Sequence, residues 1–193
     1  MIKNASIHLL GASGSGTTSV GHQLESLLGI RHLDTDSFYW LDTAEPFSHP
    51  RPESERKNLL SEALSESGSW VLSGSLCGWG DFLIPRFNLV IWIWVNHSLR
   101  MERLRIREER MYEQAMYADD NIYTKRQKFL SWAESYDTSF EVSRNAKKHA
   151  EWLKRMSCPV FIVSNNGSIK DTTDKIKMII ESGMVQKSAY SND

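Results

Sequence analysis

The chain has 193 residues, of which 40% are hydrophobic and 24% are charged, a size and composition typical of one soluble globular domain. Its 23 Lys and Arg residues against 24 Asp and Glu residues give a formal net charge of −1, which argues against general nucleic-acid binding. No apolar run reaches the roughly 20 residues of a membrane span, and the two cysteines lie outside any CxxC spacing, so we expect no membrane insertion, no disulfide framework and a cytoplasmic setting.

The first predicted element is a short strand that leads through a glycine-rich turn into a helix. Apolar residues alternate at Ala5, Ile7 and Leu9, stop at Gly11, and return at helical spacing over residues 20–28. This change of the hydrophobic period from 2 to 3.6 predicts a strand, a loop and a helix in that order. A second short strand is expected at residues 30–33.

The remaining pattern alternates strands with helices. Strands are predicted at residues 70–72, 89–95 and 160–163, helices at residues 53–67, 98–111, 125–135, 144–156 and 173–181, and an irregular proline-containing loop at residues 41–52. This alternation predicts an α/β fold with three α/β/α layers and a five-stranded parallel sheet, because each parallel return needs a crossover. We expect one domain over residues 1–185 and a frayed tail at residues 186–193.

The turn after the first strand carries a phosphate-binding pattern, since backbone N–H groups and the positive end of a helix dipole converge there. Gly11 and Gly16 are five residues apart, as in GxxxxGK followed by Ser or Thr, and Thr18 occupies the position of the Mg²⁺-binding hydroxyl. Thr17 stands where the pattern has lysine, and losing one such preorganised group typically costs on the order of 10²- to 10³-fold in rate. The predicted nucleotide-binding residues are Gly11, Ala12, Ser13, Gly14, Ser15, Gly16, Thr17 and Thr18.

Two other interpretations of this turn stay open. One is a glycine-rich turn without a ligand. The other is a dinucleotide fingerprint that begins at Gly11 and Gly14 and has Thr17 at its third glycine position. In that case Asp34 or Asp36 would hold a ribose about 20 residues further on, as in a dinucleotide-dependent oxidoreductase.

Asp34 and Asp36 follow the second predicted strand, at the edge of the sheet where open α/β folds bind ligands. Because alternate residues point to one side of a strand, both carboxylates share a face beside the glycine loop. One would hold Mg²⁺ while the other orients or deprotonates an acceptor hydroxyl, and we assign the metal to Thr18 and Asp34, which also borders the substrate, and catalysis to Asp36. Tyr39 would line the acceptor pocket. The alternative is that an aspartate only caps a following helix.

With this loop and this acidic pair, the chain resembles the P-loop small-molecule kinases, such as adenylate kinase, shikimate kinase and gluconate kinase. The resemblance implies a P-loop nucleoside triphosphate hydrolase fold, ATP and Mg²⁺ as cofactors, and glycines near the acceptor after the third strand, where Gly74 stands. It also implies an arginine-rich lid at about residues 97–125 and a further substrate-binding arginine, for which Arg144 is the candidate. The chain departs from these kinases at Thr17.

The predicted helix at residues 98–111 carries a row of arginines. Arg100, Arg103, Arg107 and Arg110 are spaced three, four and three apart, which places them in one stripe on a helix. Guanidinium groups suit bidentate phosphate contacts, so we predict that Arg100, Arg103 and Arg107 stabilise the transferring phosphoryl group. The alternative is a solvated face whose arginines pair with neighbouring glutamates.

These observations lead to three hypotheses. The first is an ATP- and Mg²⁺-dependent kinase that transfers the γ-phosphoryl group to a nucleoside monophosphate or a small hydroxyl metabolite. The second is a noncatalytic nucleotide-binding regulatory protein with a degenerate loop, marked by Thr17. The third is the dinucleotide-dependent oxidoreductase. The expected partners are a nucleotide and a small-molecule substrate, while the acceptor and the oligomeric state stay open.

Overall fold

The computed structural model describes residues 4–43, 46–112 and 120–190. Its strands are β1 (Ser6–Gly11), β2 (Arg31–Asp34), β3 (Trp70–Ser73), β4 (Leu89–Trp94) and β5 (Val160–Ser164). Its α-helices are α1 (Thr17–Leu28), α2 (Thr35–Tyr39), α3 (Glu53–Ser65), α4 (His97–Tyr112), α5 (Asp120–Glu134), α6 (Ala146–Leu153) and α7 (Ile169–Tyr190). Two 3₁₀ helices lie at Asp81–Arg86 and Ser135–Asp137.

All five strands are parallel and form one sheet in the order β2-β3-β1-β4-β5. The predicted α/β fold with a five-stranded parallel sheet is confirmed. The chain builds outward from β1 in both directions, and open sheets of this kind bind ligands where the direction reverses, at the carboxyl end of the central strand. In dinucleotide-binding sheets β2 lies beside β1, whereas here β3 does, so the topology gives the oxidoreductase interpretation no support.

Alternate side chains of β1 enter two hydrophobic layers, one on each face of the sheet. Ile7 and Leu9 pack with Val20 and Leu24 of α1 and with Ile176 of α7. The opposite layer contains Leu10 together with side chains from α3, β3, the first 3₁₀ helix and α6, namely Leu60, Leu72, Leu83 and Trp152. Burial of each such side chain contributes about 1.5–3 kcal/mol, and it fixes the start of α1 against the end of β1.

Helix α6 begins later than the sequence pattern indicates, because a side chain caps it. Asn145 Oδ1 accepts a hydrogen bond from the Lys148 amide at 2.8 Å, which fixes the first turn. Arg144 therefore lies in the loop before α6, and its predicted position inside a helix over residues 144–156 was wrong.

Helix α7 begins earlier and ends later than predicted. The Ser168 hydroxyl accepts a hydrogen bond from the Asp171 amide at 3.0 Å, so the helix starts at residue 169, and it continues to residue 190, beyond the expected domain end at residue 185. Residues 191–193 of the predicted tail and residues 113–119 of the predicted lid lie outside the described residues.

None of the helices in the described part of the chain combines the length and apolar character needed to cross a bilayer.

Candidate active site

The glycine-rich turn lies at the carboxyl end of β1 and leads directly into α1. Gly16 precedes the helix with a φ of 87°, and no side chain among the described residues caps the first turn. The first amides of a helix, here those of Thr17 and Thr18, have no partner within it, so together with the helix dipole they offer a site for an anion. The Ser15 amide differs, because it donates to the Ala12 carbonyl at 3.0 Å inside the turn.

Helix α4 packs against the turn, and Arg100 is buried between them. Gly14 has a φ of 83°, and a Cβ there would stand 2.9 Å from the Arg100 carbonyl oxygen, so the close approach requires glycine. The Arg100 side chain, 1% exposed, donates to the Ala133 carbonyl and to Asp137 at 2.9 Å each, and to the Ser13 carbonyl at 3.4 Å. With its guanidinium committed to these partners, Arg100 supports the turn from inside the protein, which argues against the predicted direct contact with a phosphoryl group.

The other two arginines that were predicted to stabilise the phosphoryl group lie in different surroundings. Arg103 donates to the carbonyls of Asn165 and Gly167 at 3.0 and 3.2 Å. Asn165 in turn donates from Nδ2 to the Ser15 carbonyl at 2.8 Å, so Arg103 is linked to the turn through one residue.

Arg107 is exposed. Its guanidinium donates to Glu108 Oε1 at 3.0 and 3.3 Å, so the glutamate pairing of the alternative interpretation holds for Arg107. The three arginines therefore do not act as one surface: one is buried, one is bound to a neighbouring loop, and one is paired with a glutamate at the surface.

Thr18 joins the glycine-rich turn to the acidic segment. Its hydroxyl donates to Asp34 Oδ2 at 2.6 Å, and the Ser73 hydroxyl lies 3.2 Å from the same oxygen. Asp34 Oδ1 accepts a hydrogen bond from the Asp36 amide at 3.0 Å and caps α2, so the capping interpretation holds for Asp34 alongside its contact with the turn. Since Thr18 gives its proton to Asp34, the lone pairs of its hydroxyl stay available for a cation. Hydroxyl and carboxylate oxygens are ligands that Mg²⁺ prefers, and the donor set fits this metal.

The surroundings of Asp36, in the first turn of α2, raise its pKa. The residue is exposed to solvent, but nearby protein atoms displace part of the water around its carboxyl group, and this is the largest cause of the raised pKa. The negative charge of Asp34 raises the pKa further. The positive charge of Arg144, a hydrogen bond from the Trp40 side chain and the positive charge of Arg107 act in the opposite direction. These interactions place Arg107 and Arg144, from separate parts of the chain, within electrostatic reach of the Asp36 carboxyl group.

An arginine on α3 stacks on the aromatic side chains beside this carboxyl group. The Arg56 guanidinium lies 4.2 Å from the centre of the Tyr39 ring and 5.5 Å from that of Trp79. Its Nε is buried without a hydrogen-bond partner among the described residues, a rare condition for a buried donor. Tyr39 is three residues after Asp36 on α2, so the two share a helix face. The structure thus adds Arg56, which the sequence analysis did not single out.

Gly74 lies against the acidic segment. It follows β3 with a φ of 110°, and a Cβ there would overlap the hydroxyl of Thr35, the residue between the two aspartates. The glycine lets the end of β3 approach the start of α2, so it sets the position of the acidic pair. Its contact in the structure is with that segment.

Comparison with known proteins shows the family. No family model matches the chain. The uncharacterized protein YqaC of Bacillus subtilis (strain 168) is 39% identical over 170 residues, which cover 88% of this chain and 94% of YqaC. The chain belongs to the YqaC family.

Solved structures share the fold of this YqaC-family protein. A shikimate kinase from Acinetobacter baumannii in complex with shikimate has a TM-score of 0.55 at 20% identity, covering 91% of this chain and 92% of its own. A shikimate kinase from Bacteroides thetaiotaomicron has a TM-score of 0.55 at 16% identity, with 92% and 98% covered. A gluconokinase from Sinorhizobium meliloti 1021 has a TM-score of 0.51 at 14% identity, with both chains fully covered. At these identities the likeness shows the fold alone, and that fold is the one of P-loop kinases.

The sequence of this YqaC-family protein did contain one signal for Arg56. Arg56, Leu60 and Leu64 are four residues apart, and both leucines are buried on α3, so Arg56 extends the apolar stripe of an amphipathic helix. A charged residue at such a position points to a buried partner or to a ligand.

No pattern in the sequence indicates the buried hydrogen-bond network that lies behind Gly74. His149 lies between the hydroxyl groups of Tyr136, 2.7 Å from Nδ1, and Ser75, 3.2 Å from Nε2. Burial lowers the pKa of His149 to about 3, so the ring is neutral at pH 7. The network ties the turn after β3 to α6.

Proposed function

We propose that this protein is a P-loop kinase that transfers the γ-phosphoryl group of ATP to the hydroxyl group of a small acceptor. The observation that carries the proposal is the 2.6 Å hydrogen bond from Thr18 to Asp34, because it joins the phosphate-binding turn to the acidic segment. We call residues 11–18 and Asp34 the nucleotide side of the site. The acceptor side consists of Asp36, Tyr39, Arg56 and Arg144.

On the nucleotide side, the open amides at the start of α1 bind the phosphates of ATP. Thr18 and Asp34 would hold Mg²⁺, the aspartate directly or through water. When bound, Mg²⁺ neutralises the charge that develops on the phosphate oxygens. Buried Arg100 supports the turn, so the amides need little reorganisation when the reaction occurs.

On the acceptor side, Asp36 acts as the general base. Its carboxylate accepts the proton of the acceptor hydroxyl while that oxygen bonds to the γ-phosphorus, and the bond from this phosphorus to the bridging oxygen breaks to release ADP. The raised pKa of Asp36 makes the carboxylate a stronger base than an ordinary aspartate. Arg107 and Arg144 supply positive charge for the transferring group, a role that the sequence analysis had given to Arg100, Arg103 and Arg107.

Arg56 indicates what kind of acceptor the site takes. A buried donor without a partner costs about 1–3 kcal/mol, and an anionic group on a ligand would remove that cost. The rings of Tyr39 and Trp79 hold the guanidinium in place by cation–π contacts. We therefore expect an acceptor that carries a carboxylate or phosphate in addition to its hydroxyl, such as a hydroxy acid or a nucleoside monophosphate.

Contacts hold the described part of the lid predicted at residues 97–125. Arg100 and the buried Leu104 anchor the first two turns of α4. The part of α4 beyond Leu104 is held against α5, because Arg126 donates to the Arg105 carbonyl and to Glu109 at 3.4 Å each. We therefore expect this part to present Arg107 to the bound substrates from a helix that moves little. Residues 113–119 of the predicted lid lie outside the described residues.

A second candidate function is a noncatalytic nucleotide-binding regulator. The observation that favours it is Thr17, because the turn has no ammonium group to reach the β- and γ-phosphates. The same amides would then bind nucleotide, and no phosphoryl group would be transferred.

A transfer assay separates these functions. Labelled ATP with Mg²⁺ is incubated with a panel of nucleoside monophosphates and small hydroxy acids, and with neutral alcohols as controls. We expect Mg²⁺-dependent transfer to at least one anionic acceptor. Binding of ATP without transfer to any acceptor, with transfer appearing only in Thr17→Lys, would establish the regulatory alternative. Binding of a nicotinamide dinucleotide without Mg²⁺ dependence would contradict both.

A further inference from the structure

Two histidines and a glutamate converge beside β2, outside the proposed kinase site. His22 and Glu25 are three residues apart on α1, and His32 lies on the neighbouring strand β2. The Nδ1 atoms of the two histidines are 3.2 Å apart, and Glu25 Oε2 is 3.8 Å from Nδ1 of His22. One ligand atom from each of the three side chains lies within 4.8 Å of the other two.

We propose that His22, Glu25 and His32 form a binding site for a divalent transition metal of the Zn²⁺ type. Zn–N bonds of 2.0–2.1 Å in a tetrahedron place two nitrogen ligands about 3.3 Å apart, and the two Nδ1 atoms already have nearly this separation. Two imidazoles and one carboxylate are a common ligand set for such metals. With three protein ligands, a fourth position would stay open to water or to another molecule.

The carboxylate of Glu25 is held for this role by the backbone. Its Oε1 accepts a hydrogen bond from the His32 amide at 2.9 Å, which fixes the side chain and leaves Oε2 directed at His22. The imidazole of His32 packs on Gly21, where a Cβ would overlap the ring. Two of the three ligands are therefore oriented before any metal binds, which lowers the entropy lost on binding.

The second nitrogen of His32 has the partner that a metal-bound histidine normally has. Its Nε2 lies 2.9 Å from the Ser73 hydroxyl, and histidine ligands usually donate this second N–H to an oxygen, which fixes the tautomer. A metal on Nδ1 forces the proton onto Nε2, so His32 donates to Ser73. Ser73 then has its own proton free for Asp34 Oδ2, 3.2 Å away. Metal binding would thus strengthen the hydrogen bonding of Asp34.

This site differs in ligand chemistry from the one formed by Thr18 and Asp34. Imidazole nitrogens suit Zn²⁺, Cu²⁺, Ni²⁺ and Fe²⁺, whereas Mg²⁺ takes oxygen ligands and keeps several waters. Excess Mg²⁺ should therefore occupy the oxygen site without displacing a metal from the histidines. The inference does not depend on the proposed kinase activity.

The test is a calorimetric titration of the full chain with Zn²⁺ in millimolar Mg²⁺, repeated with Co²⁺ as a spectroscopic probe. We expect one Zn²⁺ per chain and visible Co²⁺ absorption typical of tetrahedral coordination. His22→Ala should weaken Zn²⁺ binding by at least about 100-fold, since even changes outside the ligand set cost about 10- to 100-fold. Glu25→Gln should weaken it less, and His49→Ala, a histidine outside the cluster, should leave it unchanged.

Folding is a minor concern for this test, because the His22 side chain is 68% exposed on the surface of α1. Histidine ring signals in NMR spectra provide a second readout: Zn²⁺ should shift the rings of His22 and His32 and leave that of His49 in place. Absence of stoichiometric binding, or equal Zn²⁺ affinity in the wild type and His22→Ala, would overturn the proposal.

Discussion

The nucleotide side and the acceptor side lie next to each other at one edge of the sheet, and each contains a buried polar atom without a partner among the described residues, Ser15 Oγ in the first and Arg56 Nε in the second. The two sides differ in how their carboxyl groups are bound. On the nucleotide side, Thr18 donates to Asp34, which also accepts from the Asp36 amide and caps a helix. On the acceptor side, the Asp36 carboxyl group has a raised pKa.

This difference concerns how far the polar groups of each side are held in place before a ligand binds. Hydrogen bonds hold Thr18, Ser73 and Asp34 together without a ligand, so the oxygen atoms proposed to bind Mg²⁺ are already in place. Unsatisfied buried groups cost free energy until a ligand supplies partners. In the proposed function, a ligand that supplies a partner for Arg56 Nε gains binding free energy, and the raised pKa of Asp36 makes its carboxylate a stronger base.

The largest effect should come from removing the proposed base. Asp36→Asn keeps the size of the side chain but cannot take a proton, so phosphoryl transfer should fall by about 10²- to 10⁴-fold while ATP affinity changes little. Steady-state rates and ATP titration of the same variant check this. Asp42→Asn, an exposed aspartate in the following loop, is the matched control and should be fully active. An active Asp36→Asn would remove Asp36 from catalysis.

The approach of the end of β3 to the start of α2, which sets the position of the two aspartates, is sensitive to one methyl group. Gly74→Ala introduces a Cβ that overlaps the Thr35 hydroxyl at a φ of 110°, so unfolding free energy should drop by about 2 kcal/mol or more. Chemical denaturation measures the loss. Gly68→Ala, where nothing lies within 4 Å of the added Cβ, should cost far less, and equal losses in both variants would contradict the proposed close approach.

Arg56→Lys tests the unsatisfied donor. Lysine keeps the charge but lacks the planar guanidinium and its Nε donor, so the KM for the acceptor found in the panel should rise about 10- to 100-fold, with the KM for ATP unchanged. Arg86→Lys is a control on an exposed arginine. If acceptor and ATP KM values rise together in Arg56→Lys, the residue does not belong to the acceptor side.

The smallest effect is one of stability. The folded protein holds the Asp36 proton more tightly than the unfolded chain does, so ionisation of Asp36 opposes folding as pH rises above the ordinary carboxyl pKa. Asp36→Asn should therefore raise Tm at pH 7 by about 1–2 °C. This gain should disappear at acid pH, where the Asp36 carboxyl group is protonated in both the folded and the unfolded protein. A lower Tm at pH 7 would mean that ionised Asp36 stabilises the fold.

The sequence predicts the scaffold of this site better than its charges. The strand, glycine turn and helix around Gly11 and Thr18, and the position of Asp34 at the end of β2, follow from local hydrophobic periods and were predicted. The environments of Arg100 and Arg56 depend on tertiary neighbours. The helical period placed Arg100 in a stripe, but its contacts with Ser13, Ala133 and Asp137 bury it. Arg144 was predicted to lie inside a helix, because hydrophobic periodicity does not reveal that the Asn145 side chain caps α6 and sets its first residue.

In the proposed function, the glycine-rich turn binds a Mg²⁺-nucleotide through backbone amides and Thr18, without a lysine. Calorimetric titration with ATP, in the presence and absence of Mg²⁺, tests it on the wild type, on Thr18→Val and on the control Ser19→Ala. We expect one nucleotide to bind per chain. Its affinity should be about 10-fold higher or more with Mg²⁺ in the wild type and in Ser19→Ala, and Mg²⁺ should not raise it in Thr18→Val. No ATP binding, or the same affinity with and without Mg²⁺ in the wild type, would contradict it.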